Sequence, residues 1–264
     1  MQNEKCKMQN VNATILALET SGNSLGVALI DAGVVVFDEN VTEGMIHGRA
    51  LVPLMKKALQ SRGVKPAQLG GVAVSVGPGS WTGLRIGISA AKALAWAAGV
   101  PLVCVPSFEA LALEANERAT RIPAGKDAGA PILTVRDARS EGFFAAIIRV
   151  TRGAPERLLE ECVIRHAALV EAARRVASAG LVVCGDAKCV TTLGPEIAAN
   201  GWTALRELEH IPALAVARCG WRRFQAGEGV LRTAVEIHKV GPLYLRASDP
   251  ELKLGKTKVL SAES

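Results

Sequence analysis

One order of elements is written into this chain twice, and that repetition restricts the fold more than any other feature. Three short apolar runs come first, at residues 15–19 (ILALE), 25–30 (LGVALI) and 34–37 (VVVF). Asn, Asp and Gly stand between them, which are the residues of tight hairpins, so the spacing predicts a three-stranded antiparallel meander. Over residues 49–62, Leu51, Leu54, Met55, Ala58 and Leu59 recur at helical spacing while Lys56, Lys57 and Gln60 turn away, and Gly63 closes the helix. Pro53 fits only if it lies in the first turn, where the missing N–H would have had no partner. A strand at 71–76, a long helix at 82–98, a strand at 102–105 and a helix capped by Ser107 at 107–118 complete the module.

The second half repeats it. After a Pro-, Gly- and Ala-rich stretch at 121–131 come strands at 132–135, 142–150 and 158–164, a helix at 167–179, a strand at 181–184 and a helical stretch at 190–199. A further helix spans 212–225. The expected fold is therefore α/β and two-lobed, actin-like or ribonuclease-H-like, with duplicated β-β-β-α-β-α modules. Residues 1–118 form the expected N-terminal lobe and 119–211 the C-terminal lobe. Residues 212–264 supply a helix returning to the first lobe and a basic tail.

Composition narrows what such a chain does. With 264 residues it is long enough to bury a large core without disulfides or metal. Its rings are scarce (four Trp, five Phe and one Tyr), which argues against an aromatic platform for single-stranded nucleic acid. A net charge of +6 permits a polyanionic partner without requiring one, because the basic residues are dispersed. Residues 1–12 are polar and lack the apolar core of a signal peptide. The longest apolar stretch, 93–105, is interrupted by Gly99 and Pro101, so no membrane span is expected. A reduced, cytoplasmic protein is the expectation, since the six cysteines form no CxxC pair. Cys184 and Cys189 have no second pair or nearby His to complete a metal site, and no metal is expected.

Groups for chemistry are sparse. His47, His166, His210 and His238 lie far apart, without HExxH spacing. The loop at 77–87, GPGSWTGLRIG, runs from a strand into a helix start, where unpaired N–H groups suit an anion, yet it matches neither the Walker pattern nor GxGxxG. Gly79, Gly83, Gly87 and Ala91 recur every four residues and leave a shallow groove on the helix. Its cover is either the 49–62 helix or another subunit. Glu19, Asp137 and Asp186 stand at strand ends, where an actin-like ATPase holds nucleotide and Mg²⁺, though Asp at a strand end more often caps a turn.

Several of these segments together resemble one family. Ile15-Leu-Ala-Leu-Glu-Thr-Ser21, His47 and Gly77-Pro-Gly-Ser-Trp-Thr-Gly-Leu-Arg-Ile-Gly87 are followed in order by Asp137-Ala-Arg139, Gly185-Asp186 and Pro242-Leu-Tyr-Leu-Arg246. This series resembles the TsaB (YeaZ) family over residues 13–246. The resemblance implies a non-catalytic scaffold and activator subunit that binds TsaD, with the ATPase TsaE, for threonylcarbamoylation of adenosine 37 in ANN-decoding tRNAs. It implies no catalytic residue, no cofactor, and contact with tRNA only through the complex. Because the family's subunits meet through helices of the N-terminal lobe, the expected interface is Leu51, Leu54, Met55, Ala58, Trp81, Gly83, Gly87, Ala91 and Leu94. Family members also form homodimers through a similar surface. Glu19 replaces the family's usual Asp and Trp81 its usual Phe, so Glu19, Asp137 and Asp186 are expected to be at most vestiges of a nucleotide or metal site. The competing readings are an active actin-like ATPase or sugar kinase, and a homodimeric binding module for another partner.

Overall fold

The computed structural model describes residues 13–42, 47–120, 129–177 and 180–245. In chain order the elements begin with β1 (Thr14–Glu19), β2 (Leu25–Asp31), β3 (Val34–Val41), α1 (His47–Ser61), β4 (Gly71–Gly77), α2 (Trp81–Ala98), β5 (Leu102–Pro106) and α3 (Ser107–Ala119). They continue with β6 (Ile132–Asp137), β7 (Phe143–Thr151), β8 (Ala154–Ile164), α4 (His166–Val176), β9 (Val182–Gly185), α5 (Ala187–Thr192), α6 (Gly194–Asn200) and β10 (Thr203–Ala204). The last are α7 (Ala213–Ala226), β11 (Val230–Leu231) and α8 (Ala234–Lys239).

The chain divides into two compact units. Residues 1–76, 82–105 and 212–241 make the first, and 77–81, 106–211 and 242–264 the second. The first sheet has the order β11-β5-β4-β1-β2-β3 and the second β10-β9-β6-β7-β8. In each, three antiparallel strands are followed by a strand parallel to the first of them, β1 with β4 and β6 with β9. The duplicated β-β-β-α-β-α module is thus real, and it is the actin-like, ribonuclease-H-like arrangement.

In the first unit, alternation along the strands sends Leu16, Leu18, Val27, Leu29, Val72 and Val74 to one face of the sheet. There they share a core with Leu51, Leu54 and Ala58 of α1 and Leu84, Ile88 and Ala91 of α2. Helix α7 lies on the other face, close enough that a Cβ on Gly220 would stand 2.6 Å from Cβ of Ala73. Pro212 precedes α7 and offers no side-chain cap. The meander supplies one instead: Asn40 Oδ1 accepts from the Ala213 N–H at 2.9 Å, and Asp38 Oδ1 from the Leu214 N–H at 3.2 Å. Gly26, paired across the ladder with Asn40, makes room, since a Cβ there would lie 2.3 Å from Asn40 Oδ1. Asn40→Ala is therefore expected to lower stability by about 1 kcal/mol, as loss of a helix cap does. An unchanged urea midpoint would show that water replaces the cap.

Some local expectations need correction. Helix α1 begins at His47, so Pro53 lies inside it rather than in its first turn. It is tolerated because Pro53 and Arg49 are exposed, and water reaches the carbonyl that the missing N–H leaves behind. Ser107 is not a cap; it is the first residue of α3, and its Oγ accepts from the Gly77 N–H at 3.1 Å. The stretch 190–199 is covered by two short helices, α5 and α6, and α8 is an unexpected addition, started by a capping box between Thr233 and Glu236. Arg246 and the basic tail lie outside the described residues, as does most of the 121–131 stretch.

Candidate functional site

Two of the three strand-end carboxylates are brought together in the second unit. Strands β6 and β9 run in parallel with Val135 opposite Gly185, so Asp137 and Asp186 leave the sheet side by side. Gly185 holds φ +127°, and a Cβ on it would stand 1.9 Å from the Val135 carbonyl oxygen. Only glycine fits there. Asp186 Oδ2 accepts from the Asp137 N–H at 3.0 Å, while Asp186 Oδ1 lies 3.5 Å from Nε of the buried Arg136. Asp137 accepts from the Arg139 N–H at 2.7 Å and from Lys188 Nζ at 3.1 Å. Burial pushes the Asp137 carboxyl upward, but the Arg139 N–H and the Lys188 ammonium outweigh it and hold the group below the ordinary carboxylate range. Both carboxylates serve turns and ion pairs of the fold itself.

Glu19 ends β1 in the first unit and is buried, its Oε1 accepting from both the N–H and the hydroxyl of Ser21 at 2.5 Å. Among the described residues no group of three or more His, Cys, Asp or Glu is arranged to hold a metal ion. Burial pushes the Cys184 thiol up to about 12. Cys189 is raised to about 12, again by burial first and then by the nearby Asp186 and Asp137 charges. Thiols held protonated are poor nucleophiles and poor ligands. In native protein at about pH 8, both cysteines are expected to resist alkylation and to react only after denaturation. Peptide mass mapping that found them labelled at the unfolded rate would overturn that assignment.

The first residues of the glycine loop, 77–81, belong to the second unit and are held within it. Gly77, which follows into a cis bond with Pro78, donates to Ser107 as noted, and Arg136 Nη1 donates to the Pro78 carbonyl at 3.4 Å. Trp81 stacks on Tyr244, ring centroids 3.8 Å apart and planes within 18°. Spacing gave no warning of this pair, because 163 residues separate the two rings; the scarcity of rings was the one available pointer.

The small-residue groove of α2 is filled from within. A Cβ on Gly87 would lie 2.1 Å from Thr20 Oγ1, so the residue after β1 occupies the space that was expected to take a partner. Of the nine residues expected at an interface, Leu51, Leu54, Met55, Ala58, Gly83, Gly87 and Ala91 are buried, and Trp81 and Leu94 are half-buried. Their face is the packing face of these helices. The outward positions are Arg49, Val52 and Lys56 on α1, and Arg85, Ser89 and Trp96 on α2, with Trp96 72% exposed. Periodicity found the apolar stripe correctly; it does not say whether the sheet or another chain covers it. No helix among the described residues is long and apolar enough to cross a membrane.

Comparison with known proteins agrees with this architecture. Residues 45–199 match the family model described as TsaD, tRNA N6-adenosine threonylcarbamoyltransferase. The tRNA threonylcarbamoyladenosine biosynthesis protein TsaB of Bacillus subtilis (strain 168) is 26% identical over 240 residues, covering 91% of this chain and 97% of the relative. The tRNA N6-adenosine threonylcarbamoyltransferase of Sorangium cellulosum (strain So ce56) is 32% identical over 179 residues, but this chain spans only 50% of it. A crystal structure of an uncharacterized Pseudomonas aeruginosa protein with similarity to peptidase YeaZ superposes with a TM-score of 0.68 at 25% identity, covering 89% of this chain and all of that one. The chain belongs to the TsaD, tRNA N6-adenosine threonylcarbamoyltransferase family, and the members it is similar to over nearly its whole length are the TsaB/YeaZ proteins.

Proposed function

We propose that this chain is a non-catalytic subunit that binds TsaD, together with TsaE, and thereby supports threonylcarbamoylation of adenosine 37 in ANN-decoding tRNAs in the cytoplasm. One observation carries the reading: the chain accounts for 97% of the TsaB relative but only half of the transferase relative. The commitment of Asp137 and Asp186 to turns and ion pairs supports it. On this reading the buried residues Leu51, Leu54, Met55, Ala58, Gly83, Gly87 and Ala91 seat α1 and α2 on the sheet, and the outward face of the same helices meets the partner.

The test is reconstitution with TsaD and TsaE from the same organism, following transfer of labelled threonylcarbamoyl to tRNA. The chain alone is expected to transfer nothing, and TsaD with TsaE is expected to require it. Transfer by the chain alone would sink the proposal. Gly87→Leu is no probe of the interface, since it strikes Thr20 and the fold. Trp96→Asp, on an exposed side chain, is expected to weaken TsaD association by at least about tenfold, as loss of an aromatic anchor does, at an unchanged melting temperature. Undiminished association would remove α2 from the interface.

A further inference from the structure

Among the described residues, two fully buried hydroxyls of the first unit have no hydrogen-bond partner, Ser75 Oγ and Thr20 Oγ1. Such groups are uncommon in folded proteins, because a buried hydroxyl that finds no partner bears the whole cost of leaving water. The two stand at the same end of neighbouring strands but on opposite faces of the sheet. Ser75 lies on β4 one step beyond Val74, which is opposite Leu18 of β1. Side chains alternate along a strand, so Ser75 shares the face of Ala73, the face that α7 covers. Its neighbour across to β1 on that face is Glu19. Glu19 is paired with Gly26, and a Cβ on Gly26 would stand 2.8 Å from Cβ of Ala213 in α7, which places Glu19 under the same helix.

Helix α7 has little to offer Ser75. Its buried residues Ala213, Val216, Ala217 and Gly220 carry no polar side-chain atom, and its backbone groups are bonded along the helix. The carboxylate of Glu19, whose Oε1 already accepts from Ser21, is the polar group set beside the Ser75 hydroxyl. Thr20 is placed differently. It follows Glu19, faces α2, and its Oγ1 fills the space that a Cβ on Gly87 would need, so the hydroxyl lies directly against the helix. A site holds a water only where there is room and at least two polar partners. We infer that the corner between Ser75 and Glu19, beneath α7, binds one internal water that bridges the hydroxyl to the carboxylate, while Thr20 stays dry. The two orphan hydroxyls then act on stability in opposite directions: the first belongs to a hydrated polar pair, and the second is an uncompensated polar atom inside a packed core.

The experiment compares urea denaturation of the whole chain with that of two single variants, and pairs it with a high-resolution crystal structure of the wild type. Ser75→Ala takes away one anchor of the water and is expected to lower the folded-to-unfolded ratio by about tenfold. Thr20→Val keeps the shape of the side chain without its hydroxyl and is expected to raise the urea midpoint. The crystal is expected to show one density peak at about 2.7–3.0 Å from both Ser75 Oγ and a Glu19 carboxylate oxygen, and none within reach of Thr20 Oγ1. Near-ultraviolet circular dichroism confirms that each variant is folded, and the wild-type density decides the matter even where a variant is not. A Ser75→Ala variant more stable than wild type overturns the inference, since it would show that hydroxyl to be dry as well. Thr20→Val less stable than wild type, or wild-type density absent at Ser75, overturns it too. A midpoint that shifts when choline replaces sodium at fixed ionic strength, and shifts no longer in Ser75→Ala, would assign the site to a monovalent cation instead of water.

Discussion

Replacing Arg157 with Met is expected to destabilise the second unit by about 3–5 kcal/mol, the range seen when one member of a buried ion pair is removed. Arg157 on β8 reaches Glu109 of α3 at 2.9 Å and Glu161 of its own strand at 3.2 Å. Burial acts to lower the arginine's proton affinity, but its hydrogen bonds to Glu161 and Glu109 more than reverse this, so the guanidinium stays charged. Glu109 is 1% exposed on a helix otherwise packed through Phe108, Leu111, Ala112 and Ala115. With the cation gone, its carboxylate remains away from water. The double variant Arg157→Met with Glu109→Gln removes both charges and is expected to recover most of the loss. Chemical denaturation of the four proteins gives the coupling directly. Additive losses would show that the two side chains do not depend on each other, and that α3 is held to the sheet by apolar contacts alone.

Gly185→Ala is the second large effect, expected to exceed about 4 kcal/mol. A φ of +127° costs an L residue about 1–3 kcal/mol before any contact is considered. Here the new Cβ also meets the Val135 carbonyl oxygen at 1.9 Å, and that atom is backbone in the neighbouring strand. No rotamer relieves it. Only separation of β6 from β9 does, which breaks the parallel pairing that sets Asp137 beside Asp186. Domain stabilities are about 5–15 kcal/mol, so the variant is expected to lose near-ultraviolet circular dichroism at temperatures where the wild type keeps it. A melting temperature within a few degrees of wild type would show that the strands tolerate more separation than the ladder implies.

How far the sequence was legible depended on distance along the chain. The meander was readable because its hairpins are local: Ala32-Gly33 sits between two short apolar runs, at 25–30 and 34–37. Helix α1 was readable from its 3.6-residue spacing. What escaped were features set by residues far apart. Pro212 gives no sign that Asn40 caps the helix it precedes, and Ser107 reads as a cap although its hydroxyl is taken by Gly77. Gly87 reads as an opening for another molecule, and only the fold shows Thr20 inside it. In the candidate site, Asp137 and Asp186 were found from their place at strand ends. Their dependence on Arg136 and Lys188 was not, since a spacing pattern carries no information about which cation a turn brings within reach.

The cap on α7 has a consequence for how the chain is made. Its donors, Ala213 and Leu214, lie 173 or more residues beyond the acceptors that satisfy them. At ribosomal speeds of about 5–20 residues per second, Asn40 emerges roughly ten seconds or more before the helix it caps. Through that interval the side of β1, β2 and β4 that α7 will cover has no cover. Residues 106–211, by contrast, hold β6 to β10 in one uninterrupted stretch and need nothing synthesised later to pair their strands. The sheet whose strands are begun first is therefore the sheet completed last, since β11 joins it after every strand of the other has been made, and its uncovered face is the surface that a chaperone would meet.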